Sequence, residues 1–175
     1  KTHISPAAKI SEFGIEVIKQ GDRKSLTIAN YRTLLNNLER FKKGALITDI
    51  DYQFIVSYDK WLRESGIMHN TRVSRLRLLR AILNEAKKRD LISTNPFERF
   101  RIQQMVSKKG YITSEQLSKL ERMQLKGRDD IVRDAFLFGC YTGLRFSDIT
   151  SLRQDNIQGE WLVKKMQKTG STVEI

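Results

Sequence analysis

Three short stretches of the sequence hold residue types whose spacing can do chemistry. The first is Phe138-Gly139-Cys140-Tyr141-Thr142-Gly143-Leu144-Arg145-Phe146-Ser147-Asp148-Ile149. An apolar run enters a Thr-Gly turn, and an arginine follows, with an aspartate three residues later. One helical turn separates the two, so Asp148 can hydrogen-bond the Arg145 guanidinium and fix its direction. A rigid, permanently charged, two-pronged donor suits a phosphoryl group in its transition state. Spacing alone still favours a plainer reading, a structural Arg–Asp pair at a helix start. Cys140 lies on the apolar run and reads as a small buried hydrophobe, not a nucleophile.

The second stretch is Lys164-Lys165-Met166-Gln167-Lys168-Thr169-Gly170, between two short alternating runs. A hairpin-borne lysine can reach a neighbouring cleft as a phosphate clamp or proton donor. By spacing alone a solvated hairpin tip is the better reading. The third stretch runs from about His69 to Arg89. At about 100° per residue, Leu76, Leu79, Ile82, Leu83 and Ala86 share one helix face. Arg77, Arg80, Asn84, Lys87 and Lys88 share another. Long cationic arms at one-turn spacing suit successive phosphates, and an asparagine adds a hydrogen bond to a base edge or phosphate. A solvated charged face is the competing reading, but Glu85 and Asp90 are the only acids near it. Arg72 and Arg75 lie closer to the apolar stripe and read as snorkelling at its end.

The elements that must position these residues are mostly helices. Periodicity predicts helices over about 7–19, 27–42, 52–65 and 69–89, with breaks at Gly21-Asp22, Gly44, Ser65-Gly66 and Asn95-Pro96. Residues 97–112 show weak periodicity and read as a linker. Thr113-Ser114-Glu115-Gln116 has the form of a capping box opening a helix over about 114–124. Helices over about 131–141 and 147–152 follow. Trp161–Val163 and Thr172–Ile175 alternate and read as strands joined by a turn. The aromatics Phe54, Tyr58 and Trp61 have helical spacing and read as core.

Composition narrows the function. The 175 residues carry 32 Lys+Arg against 20 Asp+Glu, a net charge of +12, with 39% hydrophobic residues. That is enough apolar content for a core, and the charge points to a polyanionic partner, nucleic acid first. Residues 1–107 hold 20 basic and 11 acidic side chains, the rest 12 and 9. One cysteine and two histidines, His3 and His69, leave neither a disulfide framework nor a metal-ligand set. There is no P-loop, GxGxxG, GxSxG or HExxH. No apolar run is long enough for a membrane span, and no signal-peptide pattern is present. The chain opens on Lys1 and Ile175 falls inside an alternating segment, so it reads as a section of a longer protein.

The segment "TGLRFSDITSL" (142–152) resembles the first catalytic-arginine motif of the tyrosine recombinase (phage integrase) family. "VKKMQKTG" (163–170) resembles that family's β-hairpin lysine segment, in the manner of conjugative-transposon integrases. "YRTLLNNLERF" (31–41) and "TRVSRLRLLRAILNEAKKRDLISTNPF" (71–97) look like its helical core-binding domain, and "GYITSEQLSKL" (110–120) like the entry to its catalytic domain.

The resemblance implies a mainly α fold. A helical SAM-like core-binding domain (1–100) and a linker (101–112) precede the truncated α/β start of a catalytic domain (113–175). It implies that Arg145 grips the non-bridging oxygens of a scissile phosphate. Lys168 would protonate the 5′-oxygen leaving group, with Lys165 as the fallback. Asp148 would be the acid beside Arg145, and Arg77, Arg80, Asn84, Lys87 and Lys88 would contact DNA inside a two-domain clamp. The implied chemistry needs no metal and no cofactor. A tyrosine attacks the phosphate, and energy is kept in a 3′-phosphotyrosyl link. The implied partners are duplex DNA core sites and further recombinase protomers, in the cytoplasm and without a membrane. The family's His-x-x-Arg motif, its further His or Trp and its tyrosine do not follow. Tyr111 and Tyr141 stand in the wrong order for the nucleophile. The chain is therefore expected to bind DNA without cutting it. The alternative is a non-catalytic DNA-binding regulator on a recombinase-like scaffold.

Overall fold

A computed structural model describes residues 7–106 and 109–175. His3 lies outside the described residues. The chain divides into two compact units, one on either side of residues 107–108.

The first unit is built from four helices: α1 (Ile10–Lys19), α2 (Ser25–Phe41), α3 (Tyr52–Glu64) and α4 (His69–Lys88). The first begins three residues later than its periodicity predicts. Lys9 is held extended, because the Ile10 amide donates to the Ala45 carbonyl and the Ile47 amide to that of Ala8. Arg23 closes the far end of α1 by donating to the carbonyls of Val17 and Ile18, with its guanidinium 5.3 Å from the Tyr31 ring centroid. Asp51 caps α3, its carboxylate accepting from the Phe54 amide at 2.7 Å, which satisfies an orphan donor of the first turn.

Each helix buries one stripe. Phe13, Leu34, Leu38, Ile55, Tyr58, Leu62, Leu79, Ile82 and Leu83 are all fully enclosed. Full burial of one such aliphatic side chain stabilises by roughly 1.5–3 kcal/mol. Phe41 joins the cluster edge-on to Phe54, with Tyr58 and Trp61 beside it. Of the aromatics read as core from the sequence, Phe54 and Tyr58 are buried and Trp61 is half-buried against the cluster.

Beyond α4 the chain does not leave the unit at once. A 3-10 turn at Pro96–Glu98 is capped by Asn95, whose side chain accepts from the Phe97 amide at 3.0 Å. Phe97 is buried, and Phe100 and Ile102 pack against the core. Much of the stretch from residue 97 onward, expected to be linker, is therefore fixed on the helices.

The second unit holds α5 (Ser114–Glu121), α6 (Arg128–Thr142) and the single turn α7 (Phe146–Ile149). An antiparallel three-stranded sheet follows: β1 (Ile157–Gln158), β2 (Trp161–Lys165) and β3 (Thr172–Glu174), in that order. The capping box forms as the sequence predicts. The Gln116 amide donates to the Thr113 hydroxyl and the Thr113 amide to the Gln116 side chain. The helix expected over 147–152 is shorter. Thr150 donates back to Phe146 and Ser147, and Ser151 to the Asp148 carbonyl, local bonds that compete with helix extension. Strand β1 spans only two residues, too few for alternation to reveal.

Helix α6 corrects a further expectation. It was read as a buried approach to the arginine, with Cys140 enclosed. None of its residues is buried and Cys140 is exposed. Among the described residues of this unit, only α5 and α7 pack closely on it, and two short elements cannot enclose a fifteen-residue helix that is apolar on several sides. No helix among the described residues is long and apolar enough to cross a membrane.

Candidate nucleic-acid interface

In the second unit the apolar helix α6 delivers the arginine. Gly143 ends it in the left-handed conformation, φ 69°, which a glycine adopts without steric cost. Leu144 then turns inward and is buried, while Arg145 stands exposed at the N-cap of α7. Its guanidinium makes no hydrogen bond or ion pair among the described residues. Asp148 does not do what spacing suggested. Its carboxylate is completely buried and accepts from the Gln167 amide at 2.8 Å, across to the hairpin, leaving the other oxygen without a partner. The Arg145–Asp148 side-chain pair is thus replaced by a bond between α7 and the β2–β3 turn. The reason is packing. With Asp148 on the inner side of a one-turn helix and Arg145 on its outer edge, the two side chains diverge.

Lysines of the hairpin separate in the same way. Lys164 is buried on β2 and donates to the Ser151 carbonyl at 2.7 Å. Lys165 and Lys168 are exposed. The turn is closed by the Met166 amide donating to Ser171 and the Gly170 amide to Met166, each at 2.8 Å. Asp148 and Lys164 therefore bind the α7 region to the hairpin at two places. They bring Arg145 and Lys168, 23 positions apart in the chain, onto directly connected elements. Lys164 was missed as a positioning residue; only its place on the inner face of an alternating strand signals it.

In the first unit Arg77, Arg80, Asn84, Lys87 and Lys88 are all exposed along α4, opposite the buried stripe. Glu85, the acid within the helix, is turned away into a pair with Arg89 at 3.0 Å. Arg89 also pairs with Glu16 at 2.7 Å. Arg72 pairs with Asp59 at 2.9 Å and is mostly enclosed, so it serves the helix packing. Three of the five outward residues are engaged by the chain that follows α4. Asn84 accepts from Asn95 at 2.7 Å, Lys87 pairs with Glu98 at 2.7 Å, and Arg77 donates to Gln104 at 2.9 Å. Lys88 makes no side-chain bond among the described residues. The Lys87 bond holds the Glu98 carboxyl below its ordinary value, helped by the Asn95 region and by the Arg80 charge.

At the start of α4 the same chain is fastened more firmly. Asn70 donates to the Met105 carbonyl at 3.0 Å and accepts from its amide at 3.1 Å. His69 sits 2.7 Å from the Gln103 carbonyl through Nε2, so that nitrogen is the donor. Its Nδ1 faces the Arg72 guanidinium at 3.3 Å.

A family model for the phage integrase SAM-like domain matches residues 10–102, and the chain belongs to that family. Its solved relatives share the fold of both units. A lambda integrase dimer bound to a COC′ core site matches with a TM-score of 0.76 at 19% identity, covering 95% of this chain and 47% of that one. A lambda integrase tetramer bound to a Holliday junction gives 0.77 at 18%, covering 95% and 48%. The Tn1549 transposon integrase in complex with circular intermediate DNA gives 0.75 at 20%, covering 96% and 59%. The present chain thus spans about half the length of the integrases it resembles. No curated protein matches the sequence.

Proposed function

We propose that this chain is the DNA-binding part of a site-specific tyrosine recombinase that integrates or excises a mobile element. In this reading the α4 face of Arg77, Arg80, Lys87 and Lys88 takes successive backbone phosphates, and Asn84 adds a hydrogen bond. Arg145 binds the non-bridging oxygens of the scissile phosphate. A tyrosine of the whole recombinase attacks the phosphorus and forms a 3′-phosphotyrosyl ester. The P–O5′ bond breaks, and Lys168 gives its proton to the departing 5′-oxygen. Attack by a 5′-hydroxyl from another strand reverses the step. Partners are duplex core sites and further protomers.

The observation that carries the reading is the buried Asp148 carboxylate on the Gln167 amide, 2.8 Å. It couples the arginine turn to the lysine hairpin, as two groups acting on one phosphate require. The α4 face supplies the grip that such a reaction needs.

The test is duplex-DNA binding by the 175-residue chain across a salt series. Log affinity should fall linearly with log salt, and an Arg77/Arg80/Lys87/Lys88→Ala variant should flatten the slope by about 3 to 4, at about 0.9 per phosphate contact. Absence of binding at low salt, or an unchanged slope in the variant, overturns the assignment of α4.

A further inference from the structure

Three of the five residues assigned to DNA contacts on α4 are already engaged. The chain after α4 returns over the helix. Asn95 and Glu98 meet its C-terminal half, at Asn84 and Lys87. Gln103, Gln104 and Met105 meet its N-terminal half, at His69, Arg77 and Asn70. Glu98 is the only acid between Asp90 and Glu115 in a stretch that also holds Arg99, Arg101, Lys108 and Lys109. With Glu85 committed to Arg89, the one carboxylate placed on the exposed cationic residues of α4 among the described residues comes from this returning segment. Lys87 and Glu98 are both about half exposed, so solvent and a polyanion can reach the pair.

We propose that Glu98 is a built-in competitor for DNA phosphate: it occupies Lys87 in the free protein, and DNA must displace it. The proposal rests on the reading of α4 as a phosphate-contacting face. A carboxylate oxygen 2.7 Å from an ammonium fills the position that a phosphate oxygen would take. While the pair is closed Lys87 cannot neutralise a phosphate and releases no cation from DNA, so the cost of opening the pair is subtracted from the affinity. The contact thereby lowers affinity for arbitrary duplex.

A double-mutant cycle on the 175-residue chain tests this: wild type, Glu98→Gln, Lys87→Ala and the double variant, each titrated with a short mixed-sequence duplex between about 50 and 200 mM salt. Freeing one lysine from a surface pair should tighten binding about two- to fivefold at low salt. It should leave the salt slope nearly unchanged, because Lys87 neutralises a phosphate in both complexes. In the Lys87→Ala background, Glu98→Gln should leave affinity unchanged. A wild-type chain that binds while Glu98→Gln binds identically overturns the competitor role. So does a gain that persists without Lys87, because it would come from charge removal at a distance. A wild-type chain that binds no duplex overturns the α4 reading itself, and this proposal with it.

Discussion

Asp148 shows how a residue's chemistry is set by what surrounds it. By spacing it belongs to Arg145; in the fold it belongs to Gln167. Removing it as Asp148→Ala takes the carboxylate acceptor from the Gln167 amide, and loss of a hydrogen bond to a charged group costs about 1.5–3 kcal/mol. The expected outcome is faster hydrogen exchange at Gln167 and a lower melting temperature for the second unit, with the exchange of α4 amides unchanged. Equal exchange at Gln167 would mean that the hairpin stands without the carboxylate. The sequence made Arg145 and Asp148 visible as chemical residues, because a turn, an arginine and an aspartate stand close together. It could not reveal the partner of Asp148, which is 19 residues away and is a backbone amide that any residue at position 167 would provide. The same limit hid Asn70. Its two bonds to the Met105 backbone have no signature in the side chain of Met105.

Elements were far more legible than contacts. The buried stripes of α2, α3 and α4 follow the i, i+3, i+4 pattern, so their existence and inward faces could be read directly. Their ends lie within two residues of the expected ones, and the larger shift, three residues at the start of α1, falls where a bridge holds Lys9 beside Leu46. The returning segment after α4 was illegible because it has no period at all, only separate side-chain bonds to a helix already folded. Close helix packing was illegible too, and Gly14 on α1 is the clearest case. A Cβ there would lie 2.6 Å from Leu35 Cδ2 and 3.3 Å from Ile82 Cδ1, both side chains buried in the core. The glycine lets α1 approach α2 and α4 closely. Gly14→Val should destabilise the first unit by about 1–3 kcal/mol, the usual range for overpacking, seen as a lower urea midpoint with unchanged slope. An unchanged midpoint would mean that Leu35 swings aside and that the close approach is not needed.

At the scale of the whole molecule the governing quantity is charge. The 32 cations face 20 acids, so the folded chain carries self-repulsion that its carboxylates relieve. Several of those carboxylates are also fixed structurally. The Glu39 carboxyl is held below its ordinary value by the Ser11 hydroxyl and the Gly44 amide, and that of Asp49 by the Leu46 amide. Glu98 is lowered by Lys87. A carboxyl lowered in the folded state binds fewer protons there than in the unfolded chain. Its stabilisation is therefore complete above the ordinary carboxylate pKa, near 4, and is lost as pH falls through the lowered values. The melting temperature of the first unit should be nearly flat from about pH 7 to 5 and drop steeply below about pH 4. Rising net positive charge alone would also lower it, so a variant separates the causes. Glu39→Gln should melt below wild type at neutral pH, because the Ser11 and Gly44 donors lose a charged acceptor. The two curves should converge in acid, where Glu39 is itself neutral. Parallel curves at every pH would assign the loss to packing, and acid sensitivity would then come from net charge and not from the Ser11–Glu39–Gly44 bonds that join α1 to the end of α2.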